Sequence, residues 1–420
     1  MSAQTEIDRI ITAVTNAHKK VLAKGGTTAE PYLVANLEGA IDTIPEANTP
    51  AVVEEKDVNF WDYDGTLLYS YTLEELHELT ELPSNAEYEG LVGQGWNWSL
   101  EELLENNEPM DVGALYVTSD GATWFDLEND WNRDVTVTFL WKQYADNGAT
   151  IDFGDGSEPY SVSGTGNLSV THTYSPGTYR AKISGEYNFY GTSTSCCVND
   201  IAAGGSSLLK RVFLGSIDYV YGYSFFNCAR LVEISLPREC GFSGGQIFYY
   251  CSSLRGISVP GKKDIPMVSG STFTGCGQIG VISFGSYITE IYSAPPNCRR
   301  LRLKKNGTFA NVSFANNSSL VEITIPSGTT SLPSRFLQLC AGMLEITVPA
   351  SVQTINTYAF YNSINLRVLR FEGEIPPTVL NANAFNGLPT DCIVEVHAAS
   401  LTEYQEATNY SGIAAQMVGV

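Results

Sequence analysis

The chain has 420 residues, enough for roughly two to four domains with sizeable cores. Its 46 Asp and Glu outnumber 24 Lys and Arg, which gives a formal net charge of −22 at pH 7. This balance disfavours nucleic acid and anionic membrane as main partners. Every apolar run is shorter than the roughly 18 residues of a membrane-spanning helix, so we expect no membrane insertion.

Residues 1–50 predict two helices. The first covers residues 3–22 and ends at Gly25-Gly26, and the second covers residues 36–44. Short amphipathic helices cannot bury their apolar faces alone. We therefore predict an attachment or homo-oligomerisation segment, with packing on the next domain as an open alternative. The start also lacks the apolar core of an export signal, so we expect synthesis in a cytoplasm. The apolar stripe consists of Ile7, Ile10, Ile11, Val14, Ala17 and Val21.

An acidic α+β module is predicted over residues 51–132. Aromatic, alternating runs on both sides of Asp64-Gly65 predict a β-hairpin with a type I′ turn. Two helices follow, over 72–79 and 99–106, each opened by a Ser or Thr with a Glu three residues later. These pairs are Thr72 with Glu75 and Ser99 with Glu102.

The same turn carries the string Asp62-Tyr-Asp64-Gly-Thr66. It resembles the D-x-D-G-T string of haloacid-dehalogenase-type phosphatases, which implies a nucleophilic Asp followed by an acid/base Asp. Such an enzyme needs alternating helices and parallel strands plus a later Lys and acidic pair, and residues 135–400 show almost no helical periodicity. We interpret the string as a turn and predict no enzymatic activity, with the phosphatase as a third, unlikely reading.

Four short strand-like segments between Gly, Asp, Ser and Pro turns predict a small antiparallel sandwich over residues 133–200. The strings Asp152-Phe-Gly-Asp155-Gly and His172-x-Tyr174-x-Pro-Gly resemble the polycystic-kidney-disease-type (PKD) module. That resemblance implies spacing or adhesion rather than catalysis. Asp152 and Asp155 could contact Ca²⁺, but two carboxylates are far fewer than such a site requires. We expect His172 to be a strand residue hydrogen-bonded near this turn.

A repeat fills residues 205–372. Its anchors recur at spacings of 22, 23, 25, 22, 19, 23 and 23 residues, a period typical of a solenoid. Apolar residues three and five positions after each anchor predict the inward side of one short strand per repeat. The repeat at Leu301 breaks this pattern with Lys304 and Asn306, so a local distortion is expected. The anchors are Leu209, Leu231, Leu254, Ile279, Leu301, Leu320, Met343 and Leu366.

Two further columns precede the anchors. Phe225, Phe248, Phe273, Phe314 and Phe360 lie six residues before an anchor and are predicted to fill the opposite side of the coil. Three residues before an anchor, most repeats have a cysteine where others have Ser206, Asn317 or Ser363. This position predicts a buried ladder that satisfies loop backbone, not a disulfide framework, a zinc site or a cofactor site. The predicted ladder cysteines are Cys228, Cys251, Cys276, Cys298 and Cys340.

The complete unit resembles the BspA-type leucine-rich repeat, and residues 373–420 resemble the C-terminal cap of that family, a last strand and a helix. The predicted fold class is therefore mainly β and multidomain: a leucine-rich-repeat solenoid preceded by a small β-sandwich and an N-terminal helical segment. The family resemblance implies surface adhesion.

The segments before residue 105 resemble N-terminal parts of repeat proteins encoded by gut phages. The leading hypothesis is thus a phage virion protein, an exposed tail, baseplate or head appendage. Its N-terminal segment would contact other virion proteins, and its repeats would contact a host surface protein or glycan. The alternative is a bacterial BspA-like surface adhesin or protein-interaction protein.

Two sets of residues are candidate ligand contacts. The outward position between the two inward strand residues forms a Ser/Thr ladder on a face predicted to be exposed, although good β-propensity is the favoured explanation. Four tyrosines could stack on sugars, although packing between coils is the favoured use. The two sets are Ser235, Ser258, Ser283, Thr324 and Thr347, and Tyr221, Tyr223, Tyr249 and Tyr250.

Overall fold

The computed structural model describes residues 53–143, 148–185, 187–193, 195–200, 206–261, 267–268, 271–291, 298–305, 307–309 and 312–420. The predicted helices over 3–22 and 36–44, with the attachment residues Ile7, Ile10, Ile11, Val14 and Val21, lie outside these ranges. No helix in the described part of the chain is both long and apolar enough to cross a bilayer.

The first module combines a four-stranded sheet with two short helices. Strand β1 lies between β2, its antiparallel hairpin partner, and β4, with which it pairs in parallel; β3 follows β4 at the edge. The elements are β1 (Val58–Trp61), β2 (Leu67–Tyr71), α1 (Leu73–His77), β3 (Leu91–Trp96), α2 (Leu100–Asn106) and β4 (Met110–Thr118).

Both helix starts in this module are confirmed. The side chain of Thr72 accepts a hydrogen bond from the Glu75 amide, and the Glu75 carboxylate accepts one from the Thr72 amide. Ser99 and Glu102 form the same reciprocal pair at the start of α2. Each box satisfies two backbone donors that a helix start otherwise leaves unpaired.

The hairpin between β1 and β2 is confirmed, but the predicted turn type is wrong. The Asp62 amide donates to the Thr66 carbonyl at 2.7 Å, which closes a longer loop than a two-residue turn. Only Gly65 has a positive φ, +87°, whereas a type I′ turn needs positive φ at Asp64 as well. The bulge in the β1–β2 register absorbs the extra residues.

The sandwich that follows has two sheets. One contains β5, β10, β7 and β8 in this order, and the other places β6 between β9 and the short strands β11 and β12. Alternate residues of β6 are buried, as expected for a strand with one face on a core. The strands are β5 (Thr123–Asn129), β6 (Val135–Gln143), β7 (Ala149–Asp152), β8 (Tyr160–Val162), β9 (Gly166–Tyr174), β10 (Gly177–Gly185), β11 (Asn188–Phe189) and β12 (Val198–Asp200).

The repeats form a solenoid in which corresponding short strands of neighbouring coils pair in parallel. One series of strands carries the inward positions predicted from the sequence, and we call its outer side the strand face. This series is β13 (Leu209–Phe213), β15 (Glu233–Ser235), β17 (Gly256–Val259), β19 (Val281–Phe284), β21 (Arg300–Leu301), β22 (Glu322–Ile323), β24 (Glu345–Val348), β26 (Val368–Phe371), β28 (Ile393–Val396) and β29 (Met417–Gly419).

A second series of strands runs along another side of the coils. Its first strand pairs with β11 and the first strand of the strand face pairs with β5, so both sandwich sheets continue into the solenoid. Residues 55–420 form one compact unit. The domain boundaries expected from the sequence within this unit stay a prediction. The second series is β14 (Tyr219–Tyr221), β16 (Gly241–Ser243), β18 (Met267–Val268), β20 (Glu290–Ile291), β23 (Ser331–Leu332), β25 (Thr354–Ile355) and β27 (Thr378–Val379).

The core positions of the repeat are confirmed. All eight anchors, and the residues three and five positions after seven of them, are buried. The phenylalanine column is also buried: Phe248 stacks on Phe225 at 5.4 Å and on Phe273 at 5.8 Å between ring centroids. Stacking of equivalent rings in successive coils fills the side of the core opposite the strand face.

The repeat at Leu301 keeps the pattern in a different register. Leu301 lies opposite Ile323, which is three residues after its own anchor. Leu301 therefore occupies the first inward strand position, Leu303 takes the second, and Cys298, predicted as a ladder residue, takes the anchor position. Both leucines are buried, so the coil is regular at its core. The predicted break at Lys304 was a misalignment by three residues, and Asn306 lies outside the described residues.

The buried ladder is confirmed at most of its positions. The Cys251 thiol donates to the Phe225 carbonyl at 3.0 Å and the Cys276 thiol to the Phe248 carbonyl at 3.0 Å. Cys340 and Ser363 make the equivalent bonds, at 3.1 and 2.7 Å. Cys228 and Cys298 do not, since their thiols contact carbonyls in their own coils, those of Phe226 and Arg300. All nine cysteines are buried free thiols.

The C-terminal cap contains the predicted strand and helix, and one further strand. Strand β28 pairs with β26 and β29 pairs with β28, all in parallel. Helix α3 (Leu401–Glu406) lies between β28 and β29 in sequence, and short 3₁₀ helices occur at Ala382–Ala384, Ala398–Ser400 and Ala414–Gln416.

Candidate binding surfaces

The first module lies across the strand face of the first four coils. Each of these coils offers the carbonyl of its second inward residue, and the module donates one hydrogen bond to each. Because these four backbone carbonyls receive their hydrogen bonds from the module, the module is a fixed part of the solenoid. The bonds are Thr118 N to Leu214 O (3.3 Å), Tyr116 N to Leu236 O (3.2 Å), Asn97 Nδ2 to Val259 O (3.1 Å) and Trp98 Nε1 to Phe284 O (2.7 Å).

This packing shows that the predicted exposure of the serine ladder is wrong. Ser235, Ser258 and Ser283 are 0%, 2% and 1% exposed. Ser258 and Ser283 lie beneath Gly113 of β4, where a β-carbon would be 2.4 and 2.0 Å from their hydroxyl oxygens. The Asn97 side chain also contacts Ser283, with its Nδ2 3.3 Å from the Ser283 carbonyl oxygen. An outside ligand therefore cannot contact these three serines.

A buried ion-pair network holds the start of the module on the coils that follow. The Arg300 guanidinium contacts the Asp111 carboxylate at 2.8 Å, with the two side chains 11% and 3% exposed. Arg302 contacts Glu322 at 2.5 Å and donates to the Asp57 carbonyl at 2.8 Å. Because breaking a buried pair leaves an uncompensated charge, this network specifies how the module sits on the array.

Beyond this network, no other described segment covers the strand face. Thr324 and Thr347, the last two members of the predicted ladder, are only half-buried. Three aliphatic side chains at the starts of these strands are strongly exposed: Val321 (45%) and Leu344 (51%), each directly before its strand, and Ile393 (46%), the first residue of β28. We call the strand face from Val321 to Glu395 the open strand face. Several large apolar side chains exposed along one face are typical of a protein-contact surface.

The four candidate tyrosines lie on the other side of the coils. Tyr249 stacks on Phe226 of the preceding coil, with ring centroids 5.3 Å apart and the ring planes 1° apart, which confirms packing between coils as its use. Tyr223 packs against the same Phe226 at 5.7 Å, and the Tyr221 ring lies 5.9 Å from the Lys142 ammonium. Only Tyr250 is strongly exposed, at 50%. The tyrosines thus offer one exposed ring and no continuous stacking row.

Asp62 of the phosphatase-like string is in the hairpin turn and 1% exposed. One carboxylate oxygen accepts the Tyr63 amide at 2.8 Å and the other accepts the Tyr88 hydroxyl. Burial raises the pKa of Asp62, and the hydrogen bond from Tyr88 opposes that rise. The surroundings are aromatic, with the rings of Tyr63 and Tyr116 5.4 Å apart. These contacts fit the interpretation as a turn.

The PKD-like turn uses its carboxylates internally. Asp155 accepts from the Ser157 hydroxyl at 2.6 Å and lies 2.7 Å from Nε2 of His172, which confirms the expected place of that histidine. The Ser157 and His172 contacts lower the pKa of Asp155 to about 2. Asp152 accepts the Gly154 amide at 2.9 Å. Within the described residues, no cluster of three or more His, Cys, Asp or Glu could hold a metal ion.

A groove where the module meets the array was not predicted. It consists of two neighbouring cavities of about 540 and 210 Å³, which share Glu102, Ser286 and Tyr287 in their walls. We call it the junction groove. A third cavity, of about 540 Å³, lies on the sandwich sheet between Arg180, Arg211 and Glu233. No local sequence signal marks these sites, because their walls come from distant parts of the chain.

The fold defines a leucine-rich-repeat solenoid. Residues 202–295 and 296–391 match the BspA type leucine rich repeat region, in six copies. This part of the chain is therefore similar to BspA-type leucine-rich repeats.

Two solved structures show limited similarity. A leucine-rich repeat protein from Bacteroides ovatus is 16% identical, with 50% of this chain and 67% of that chain covered and a TM-score of 0.29. A leucine rich cell surface protein from Faecalibacterium prausnitzii is 14% identical, with 42% and 76% covered and a TM-score of 0.18. No curated protein is significantly similar to this chain.

Proposed function

We propose that the protein is a binding protein that contacts a partner through the open strand face. One observation carries this proposal: the described part of the chain covers the strand face of the first four coils and leaves the later coils uncovered, with Leu344 51% exposed. A folded protein rarely leaves such side chains exposed on one face without a use for them.

The chemistry of the open strand face favours a protein partner. Exposed Val321, Leu344 and Ile393 supply apolar contact area. The Arg370–Glu395 pair, at 2.6 Å, adds a polar margin whose two charges already neutralise each other. Apolar contacts within a polar margin are the usual composition of a protein–protein interface, whereas a glycan needs more polar groups.

A substitution pair tests the proposed surface. Leu344→Asp should abolish binding to a panel of immobilised bacterial surface proteins, because it places a charge within the apolar contact area. Ile364→Asp is the matched control, since Ile364 is 58% exposed but lies in a turn four residues before β26, whereas Leu344 directly precedes β24. Equal binding by both variants and the wild type would refute the open strand face as the contact surface.

Within this function, we infer that the protein is carried on a phage particle as a tail, baseplate or head appendage. The phage-like N-terminal segments support this placement, with residues 1–50 contacting other virion proteins or a second copy. The buried cysteines support it as well. Three ladder positions use a cysteine thiol as a hydrogen-bond donor and a fourth uses a serine hydroxyl, so the ladder needs no disulfide bonds.

The alternative location is a bacterial cell surface, which the BspA-type repeats also support. Mass spectrometry separates the two placements. Peptides of this chain in density-purified phage particles would support the virion. Peptides released from intact bacteria by external protease, with none in particles, would refute it and favour the surface adhesin.

A further inference from the structure

We propose that the junction groove is a binding site for a short, neutral oligosaccharide. The groove lies where α2 of the module approaches the turns of the third and fourth coils, and junctions between modules are common places for ligand sites. None of its lining residues belongs to the open strand face, so this site does not depend on the function proposed above.

An unpartnered donor marks the smaller cavity. Asn106 is 7% exposed, and its Oδ1 accepts the Lys305 amide at 2.8 Å. That bond fixes the orientation of the amide, so its Nδ2 must point the other way. Nδ2 is buried and has no hydrogen-bond partner among the described residues. A buried donor of this kind costs stability, which marks the packing beside the smaller cavity as incomplete.

The groove has further polar groups of both signs. Glu102 accepts the Ser286 hydroxyl at 2.7 Å and thereby joins the two cavities. Glu105 and Lys304 line the smaller cavity, and neither has an ion-pair partner among the described residues. Opposite charges on the walls balance each other, so a strongly charged ligand gains little. A ligand with many hydroxyls can donate to the carboxylate and accept from the ammonium.

An aromatic ring stands at the boundary of the two cavities. Tyr287 lines both of them and is 45% exposed. A ring with one end in the protein and one face in water suits the apolar side of a sugar ring. Because one cavity lies on each side of this ring, the groove fits a chain of linked sugar units better than a single compact molecule. An extended peptide would instead need a free sheet edge or a row of apolar pockets.

Binding of the full chain to an array of neutral di- to pentasaccharides of glucose, galactose, mannose and N-acetylglucosamine tests this site. Calorimetry with the tightest-bound member then compares variants. Tyr287→Ala should weaken binding roughly fivefold to tenfold through loss of one stacked ring, whereas Tyr287→Phe should keep it. Lys304→Ala should also weaken binding. Tyr160→Ala is the control, because Tyr160 is 53% exposed on a distant edge strand.

Several outcomes would overturn the proposal. They are an array on which no neutral saccharide binds, an array on which only acidic glycans or peptides bind, and unchanged affinity in both Tyr287→Ala and Lys304→Ala. Leu344→Asp should leave saccharide binding unchanged. This variant therefore distinguishes failure of the junction groove from failure of the open strand face.

Discussion

Gly113 of the first module lies directly on Ser283 of the fourth coil, so close that a β-carbon at Gly113 would be 2.0 Å from the serine hydroxyl oxygen. The contact shows how a strand from one part of the chain covers the strand face of another. A small residue on one side and a row of small hydroxyl residues on the other allow the backbones to approach.

Gly113→Val should push β4 away from the coils beneath it, because neither Ser258 nor Ser283 can move within the packed array. We expect a loss of about 1–3 kcal/mol in the free energy of unfolding. Hydrogen exchange should show faster exchange at the Tyr116 and Thr118 amides, which donate to the array. Gly412→Ala is the control, since a β-carbon at Gly412 meets nothing within 4 Å. Unchanged exchange in Gly113→Val would contradict the described docking.

The phase of the strands is tested at two adjacent residues. Ile323 is 6% exposed and lies opposite Leu301, so Ile323→Asp buries an uncompensated charge and should cost roughly 3 kcal/mol or more. Thr324 is half-buried and points outward, so Thr324→Asp should be tolerated. Thermal unfolding followed by circular dichroism compares the two. Equal losses of stability would mean that the inward and outward positions are exchanged.

The ladder predicts different effects for two substitutions of one cysteine. Cys251→Ser keeps a donor for the Phe225 carbonyl and should be nearly neutral, as Ser363 occupies the equivalent place in its own coil. Cys251→Val keeps the volume but removes the donor, and should cost about 1 kcal/mol. Urea unfolding of both variants measures the difference. A Val variant at least as stable as the Ser variant would show that the thiol only fills space.

The pH dependence of stability tests the burial of Asp62. Burial raises the pKa of this carboxyl above 3.8 in the folded protein, so the folded state prefers the protonated form. Its favourable contribution is present below the unfolded pKa and is lost as the pH rises through the folded pKa. The wild type should therefore lose stability relative to Asp62→Asn as the pH rises from about 3 to about 8. Urea unfolding across this range measures the change. A stability difference between the two proteins that stays constant with pH, or that favours the wild type at high pH, would contradict the burial of Asp62.

The turn interpretation also predicts an absence of chemistry. The full chain with Mg²⁺ should not hydrolyse an aryl phosphate, because both oxygens of Asp62 are engaged by Tyr63 and Tyr88. A colorimetric phosphatase assay checks this. Mg²⁺-dependent turnover that disappears in Asp62→Asn would revive the enzyme reading.

The sequence predicted those features that depend on local periodicity. The spacing of the anchors located the core, and the pairs Thr72–Glu75 and Ser99–Glu102 located two helix starts, because each signal lies within one repeat or one helical turn. Cys298 shows the limit of this approach. It fits both a ladder and an anchor position, and only its pairing context shows that Leu301 lies opposite Ile323.

The candidate sites were harder to predict because they depend on contacts between distant segments. Ser258 has the same outward phase as Thr347, yet one is covered by β4 and the other is not. The signal for this difference is weak: Gly113 stands within an otherwise favourable strand sequence, and a strand glycine often marks a close backbone approach. The junction groove has no such signal, since α2 and the turn at Tyr287 are about 180 residues apart in the sequence.

The hydrogen bonds from the module to four consecutive coils have a consequence for how the protein unfolds. In an ordinary repeat array each coil is stabilised only by its two neighbours, so an end can fray one coil at a time. Here the coils from Leu214 to Phe284 share one external support, and none of them can open without breaking its bond to the module. The front of the solenoid should therefore unfold as a single cooperative block. The coils after Ile323 have no such support from the described residues and keep the gradual fraying of a free array.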